Sequence, residues 1–230
     1  MTLPLLMEDQ VQAIFFPKPL DSTYLAYTLA EIYKDKTYVP LLEGRHDLTI
    51  LDIGGNLGIT SYYFSQFAKQ VYTLEPAMEH YNIMTQMLAF NKITNVKAIK
   101  KALYTKNGPQ TFHKNSINKS MWSLFGNVDD KVLPTEEVDC ITIDTLFEQE
   151  GITHVDFMKL DVEGSEVEII CSPGFKKVAP MIDCMVIELH AWSGRHPNNI
   201  LEALKVNGFE LEMMPRPTPN DAQILIARRK

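Results

Sequence analysis

The 230-residue chain is 45% hydrophobic and 22% charged, ordinary figures for a soluble globular protein and enough for one large domain with a full core. Its 29 acids against 22 bases leave a net charge of −7, which argues against a bare phosphate backbone as the partner, though not against a local basic patch. Three cysteines (Cys140, Cys171, Cys184), far apart and in no CxxC or zinc spacing, exclude a zinc ribbon and read as reduced thiols in or near the core.

The chain opens with MTLPLLMEDQVQAIFF. It lacks the basic start of a leader peptide, and acids interrupt its apolar run. No stretch of about 18 apolar residues follows anywhere, so no membrane span is expected and a cytoplasmic location is. Pro4, Pro17 and Pro19 break any long helix over residues 1–20. In DSTYLAYTLAEIYKDK, residues 21–36, Asp21 or Ser22 can cap a helix with Leu25, Leu29, Ile32 and Tyr33 on one face. Residues 1–47 are therefore expected to form an N-terminal helical extension or cap, and 48–230 the main domain.

From residue 48 strands and helices alternate. LTILDI is a buried strand, Ile59 to Ala68 a helix, QVYTLEP a strand, AMEHYNIMTQMLAFNK a helix and NVKAIKKAL a third strand. Residues 104–136 are irregular, with a turn at KNGP and a short extra strand at QTFHK. VDCITIDTL carries another strand. HVDFMKLDVEG runs into the helix EVEIICS, MIDCMVIELH is a strand, and PNNILEALKVNG is a helix ended by Gly208. FELEMMP and QILIARR close the chain as an antiparallel pair. Such alternation predicts an α/β, Rossmann-like doubly wound, mostly parallel sheet whose ligand sits at the carboxyl ends of the strands.

Those strand ends carry the chemistry. The first ends Asp52-Ile53-Gly54-Gly55-Asn56-Leu57-Gly58 and the second Leu74-Glu75-Pro76. An acid some 20 residues beyond a glycine loop is placed to hydrogen-bond a ribose diol. The spacing DxGxNxG is not the dinucleotide fingerprint GxGxxG, and an acid ahead of the glycines suits a ligand with a cation there. S-adenosyl-L-methionine carries an ammonium and a sulfonium and no phosphate. The third strand runs into Lys101-Ala102-Leu103, where Ala102 is a small neighbour for an adenine. Further on, Lys159, Asp161 and Glu163 alternate, as do Glu188 and His190 at the end of the next strand. The plain reading of the first three is mutual ion pairing. At a strand's carboxyl end they also lie where a methyl acceptor would dock, with His190 as first candidate for the base and Glu163, Asp161 or Lys159 behind it. Asp161, Glu188 and His190 could alternatively hold a divalent ion. Ser120 and Trp122 could close over the site or, in the case of Trp122, simply anchor a loop.

Taken together, LDIGGNLG, TLEP, KLDVEGSEVEII and VIELH resemble the FkbM family of S-adenosylmethionine-dependent methyltransferases over roughly residues 48–228. The element KLDVEGSE is the specific part, since many class I methyltransferases share the glycine loop. The resemblance implies a seven-stranded sheet with the last strand antiparallel, and O-methylation of a hydroxyl on a sugar or other small metabolite. It implies that Asp52, Gly54, Asn56 and Gly58 hold the methionine end of the cofactor, with Gly55 and Pro76 beside it. Glu75 would hold the ribose, and Asp161, Glu163 and His190 would line the acceptor side. Competing readings are a nucleic-acid methyltransferase on the same fold, a nicotinamide-dependent oxidoreductase and a non-catalytic cofactor-binding protein. The acidic balance and the lack of a basic, aromatic-interleaved stripe oppose the first, the missing GxGxxG the second, and the intact charged strand ends the third.

Overall fold

The computed structural model describes residues 2–7, 10–16, 28–30, 32, 36–114, 122–124, 134–190, 197–214 and 222–230. The first element is a hairpin that sequence periodicity did not foresee: β1 (Thr2–Met7) pairs antiparallel with β2 (Gln10–Phe15). Of the helix expected over 21–36, residues 28 and 29 are α-helical. A short helix, α1 (Val39–Leu42), leads into β3 (Leu48–Ile53).

After β3 the chain runs α2 (Ile59–Ser65), β4 (Ala68–Leu74), α3 (Met78–Phe90) and β5 (Val96–Ile99). It continues with β6 (Ala102–Leu103), β7 (Gly108–His113), β8 (Thr135–Ile141), α4 (Ile143–Glu150) and β9 (Phe157–Leu160). Two short helices, α5 (Glu166–Ile170) and α6 (Pro173–Val178), precede β10 (Cys184–His190). The end is α7 (Pro197–Val206), β11 (Phe209–Met214) and β12 (Ala222–Arg229). Thr142 caps α4 by accepting from the Thr145 amide at 3.4 Å, Ser172 caps α6 through the Phe175 amide at 3.1 Å, and Gly151 ends α4 in the left-handed region.

The main sheet has seven strands in the order β5-β4-β3-β9-β10-β12-β11. Its five strands from β5 to β10 are parallel, and β12 lies antiparallel between β10 and β11. The last strand is thus the antiparallel one, as expected, and it is inserted rather than added at the edge. The expected third strand, 96–103, divides in two. β5 stops at Ile99, the Lys101 amide turns back onto the Ile99 carbonyl at 3.0 Å, and Ala102–Leu103 join a separate three-stranded sheet, β6-β8-β7. The strand read in VDCITIDTL is β8 of that small sheet and takes no part in the main one.

Period-two alternation explains the core. Leu51 and Ile53 of β3 pack on one face with Leu146, Phe175 and Leu204, while Leu48 and Ile50 pack on the other with Phe64, Met84 and Phe157. Burying a Phe or Leu side chain contributes about 1.5–3 kcal/mol, so two covered faces supply most of the driving force. Ile14, Phe16, Ile32 and Tyr38 join the second cluster, with Tyr38 edge-on to Phe64 at 5.1 Å. Cys140 and Cys184 are buried, but Cys171, at the end of α5, is exposed. No helix among the described residues is long and apolar enough to cross a membrane.

Chain order reverses between β3 and β9, because β4 and β5 spread to one side and β10 to the other. The crevice at the carboxyl ends of β3 and β9 is where an open α/β sheet binds its ligand.

Candidate functional site

Pairing of β3 with β9 puts Asp52 directly opposite Lys159. Both side chains point to the α2 side of the sheet, and both are buried. Asp52 Oδ2 accepts from Thr60 Oγ1 at 3.1 Å and Ser61 Oγ at 2.5 Å, and its Oδ1 lies 3.8 Å from Lys159 Nζ. Burial pushes the Asp52 carboxyl above its ordinary range, while Lys159 and the two hydroxyls pull it back. Lys159 Nζ also donates to the Gly54 carbonyl at 3.2 Å and to Asp161 Oδ2 at 3.0 Å. One buried ammonium therefore ties the glycine loop to the end of β9. Asp52 acts on that loop from below, through α2 and Lys159.

The glycines are demanded first by this packing. Gly54 has φ +84°, and a Cβ there would fall inside the Asp161 carbonyl. A Cβ on Gly55 would overlap the Thr73 hydroxyl of β4. Gly58, also left-handed, begins α2 against Met84 and Met87 of α3. With no side chains at these three glycines, loop 54–58 presses onto β4, β9 and α3.

Glu75, at the end of β4, is buried beside this loop. Its Oε2 accepts from the Asn56 amide at 2.8 Å and its Oε1 from the Ala77 amide at 2.9 Å. An ionised carboxylate has about four lone-pair sites, so two backbone donors fix its orientation and leave capacity for a ribose diol. Pro76 follows at the mouth, half-buried. Ala102 is buried in a cluster with Ala77, Phe112, Trp122, Val138 and Cys140, so the small sheet walls this side of the crevice. Trp122 stacks on His80 of α3 at 4.4 Å and 17°, with the Lys114 ammonium 4.9 Å from its ring centre. It is a packed anchor behind Glu75. Ser120 lies outside the described residues.

On the far side of the switch, β9 ends at Leu160 and Glu163 takes φ +54°. The β10 register carries Glu188 and His190 onto the same face as Lys159. His190 Nε2 lies 3.3 Å from Glu163 Oε2 and 4.0 Å from Asp161 Oδ1, and its Nδ1 lies 3.0 Å from Glu166 Oε1. Glu166 is nearly sealed from solvent, and the same oxygen accepts from the Val162 and Gly164 amides, each at 3.1 Å. Its role was not read from the sequence, although it ends the KLDVEGSE element. The signal was a second acid one helical turn after Val162, reaching back to the amides before its helix.

Burial alone would lower the His190 pKa, but hydrogen bonding to Glu166 and the charges of Glu163 and Asp161 outweigh it and raise it to about 10. That direction favours the protonated ring, which makes His190 a poorer base than a neutral imidazole. Glu163 is raised too: burial, with Asp161, Glu188 and Glu166 adding to it, lifts it to about 8 against the opposing pull of His190. The ligand set read from the sequence also changes. Atoms of Asp161, Glu163 and His190 converge within 4.8 Å of one another, whereas Glu188 stays outside that group and acts on Glu163 through charge.

The donor set fits S-adenosyl-L-methionine. Glu75 keeps acceptor capacity of the kind a ribose diol needs, and Asp161 at the end of β9 offers a negative charge to a cationic ligand.

The methyltransferase FkbM domain model matches residues 52–211. A search of curated protein sequences finds no match. Solved structures share the fold at low identity. Magnesium protoporphyrin IX methyltransferase from Synechocystis PCC 6803, with bound S-adenosylmethionine, is 13% identical at a TM-score of 0.56, covering 93% of this chain and 86% of that one. A methyltransferase-like protein from Streptococcus mutans, SMU.1697c, in complex with S-adenosylhomocysteine, is 11% identical at 0.52, covering 93% and 100%. The fibrillarin pre-rRNA processing protein of Methanococcus jannaschii is 15% identical at 0.55, covering 99% and 82%. The family match begins at the buried aspartate under the glycine loop and runs through both sides of the crevice: the chain belongs to the FkbM family of methyltransferases, whose methyl donor is S-adenosyl-L-methionine.

Proposed function

We propose that the protein transfers a methyl group to a hydroxyl of a small metabolite or sugar. The observation that carries this reading is the join at Lys159. A single buried ammonium holds the Gly54 carbonyl on the donor side and Asp161 on the acceptor side, so the two halves of the crevice keep a fixed distance. Bound S-adenosyl-L-methionine supplies a methyl carbon already activated by its sulfonium. What the chain adds is alignment of acceptor oxygen, carbon and sulfur, and removal of the hydroxyl proton.

Glu75 would hold the ribose, and the backbone of 54–58 the methionine end. Ala102 and Pro76 would flank the adenosine. On the acceptor side, Glu163 is the better base. Its pKa of about 8 lies near working pH, where a general base is most effective, while His190 is already protonated. His190 then orients Glu163, its Nε2 3.3 Å from Glu163 Oε2. The apolar and acidic surroundings favour a neutral acceptor over a polyphosphate one.

The test is calorimetric titration with S-adenosylhomocysteine, with NAD as control, followed by radiolabelled methyl transfer to a panel of sugars, phenols and a structured RNA. Binding of the first ligand and transfer to a hydroxyl compound are expected. Transfer to RNA alone would move the acceptor class, and binding without transfer to any acceptor would favour a non-catalytic role.

A further inference from the structure

Behind and in front of His190 the carboxylates are arranged differently. Glu166, locked by two backbone amides, takes Nδ1 from behind. That contact directs Nε2 toward Asp161 Oδ1 and Glu163 Oε2, at 4.0 and 3.3 Å. Ligand atoms about 2.0–2.2 Å from one ion sit roughly 3–4 Å apart; the two distances from Nε2 fall in that range, and all three ligand atoms lie within 4.8 Å of one another. A carboxylate gripping the far nitrogen of a ligating imidazole is the usual outer support of a metal site, fixing the tautomer and the ring plane. Charge points the same way. Asp52, Asp161, Glu163, Glu166 and Glu188 bring five acids to this strand end against Lys159 and His190.

We propose that Asp161, Glu163 and His190 form a binding site for a divalent cation of the Mg²⁺ or Mn²⁺ class at the acceptor edge of the crevice. Two carboxylates and one imidazole on one side leave the remaining positions for oxygens, and the single nitrogen ligand favours Mn²⁺ over Mg²⁺. Binding of the ion would displace the Nε2 proton, and Glu163 would then be a ligand rather than the base. The inference rests on the methyltransferase reading for its chemical use. The cation would lower the pKa of an acceptor hydroxyl, whose proton would pass to solvent as its oxygen bonds to the methyl carbon and the carbon–sulfur bond breaks to give the thioether. Occupancy of the site does not depend on that use.

A second histidine–carboxylate group supplies the control. His154, Asp156 and Asp183 also converge within 4.8 Å, at the opposite ends of β9 and β10. The experiment titrates Mn²⁺ into the full chain by calorimetry and by loss of the free-ion EPR signal, with and without S-adenosylhomocysteine. It compares the native chain with Glu163→Gln, Asp161→Asn and Asp183→Asn. One Mn²⁺ per chain is expected, weakened at least about tenfold in Glu163→Gln and Asp161→Asn and unchanged in Asp183→Asn. Circular dichroism checks that each variant is folded, and Glu163→Gln, which preserves side-chain size, decides if Asp161→Asn is not. Absence of Mn²⁺ binding, binding unaltered by Glu163→Gln, or binding lost in Asp183→Asn would each overturn the proposal. If S-adenosylhomocysteine binds and Mn²⁺ does not, the cation site alone fails. If Mn²⁺ binds at Glu163 and S-adenosylhomocysteine does not, the cation site stands and the cofactor reading fails.

Discussion

Two histidine–carboxylate groups sit at opposite ends of the same two strands, and they have little in common beyond composition. At the amino end, His154 Nε2 lies 3.1 Å from Asp183 and 3.7 Å from Asp156, and Asp156 already serves Arg45 at 3.6 Å and the Thr49 amide at 2.8 Å. The His154 side chain is 51% exposed, that of His190 only 6%. Exposed pairs of the first kind are worth about 0–1 kcal/mol and are screened by salt. Burying several charges together costs far more unless each is held, and at the carboxyl end Asp52, Asp161, Glu163 and Glu166 each have a named donor or cation beside them. The difference teaches where to look. Similar residue types lie at a surface at one end of the sheet and in a buried group at the other, and burial plus an outer layer of support separate them.

The largest effect should come from breaking the carboxyl-end group by its chemistry. Glu163→Gln keeps the shape and removes the base, so turnover should fall by about 10²- to 10⁴-fold. Asp183→Asn, the matched change at the amino end, should leave turnover within about twofold. Equal losses in the two would mean that the carboxyl-end group has no special role.

Glycines sharpen the same contrast through stability. Gly44, before β3, and Gly54, after it, both have positive φ, but nothing lies within 4 Å of a Cβ at Gly44. Gly44→Ala should cost about 1 kcal/mol, the left-handed penalty alone. Gly54→Ala adds a collision with the Asp161 backbone and should cost about 3 kcal/mol or more, as read from urea denaturation midpoints. Similar costs would show that loop 54–58 can move away from β9.

A smaller effect is expected on the donor side. Glu75→Ala removes an anchored carboxylate acceptor, worth about 1.5–3 kcal/mol when it meets a hydroxyl pair, so S-adenosylhomocysteine should bind roughly ten- to a hundredfold more weakly. His154→Asn should not change that affinity. Unaltered binding in Glu75→Ala would remove the ribose assignment.

Much of this was legible in the chain. Eight apolar runs were read as strands and seven of them form the main sheet, because a doubly covered sheet writes its pattern along nearly the whole of β3, β9 and β10. The strand ends named Asp52, Glu75, Lys159, Asp161, Glu163 and His190 because topology sends such residues to one crevice. Three features were not legible. The β1–β2 hairpin has no periodicity to distinguish it from a proline-broken coil. Ala102–Leu103 left the main sheet at a turn that no glycine or proline marks. The charge state of His190 depends on Glu166, whose approach to the ring is set by two backbone amides in a loop that only the fold closes. Sequence spacing named the acids around the histidine but could not order their distances, and so chose Glu188 as a metal ligand where Glu163 is nearer.

Protonation of His190 is itself testable through folding, where the smallest effect is expected. A group whose pKa is raised in the folded state contributes stability that is complete below its unfolded value, here about 6.5, and is lost as pH rises through the folded value of about 10. Glu163, raised by burial to about 8, has the same sign, since the folded chain holds that proton too. The stability difference between the native chain and His190→Asn should therefore be largest near pH 6 and shrink by about 1–2 kcal/mol toward pH 10, in denaturant titrations at matched ionic strength. His154→Asn, at the exposed end, should run parallel to the native chain throughout. A constant difference for His190→Asn would mean that the ring is neutral in the folded protein. Its Nε2 would then have a lone pair facing the crevice, and His190, not Glu163, would be the group that takes the acceptor's proton.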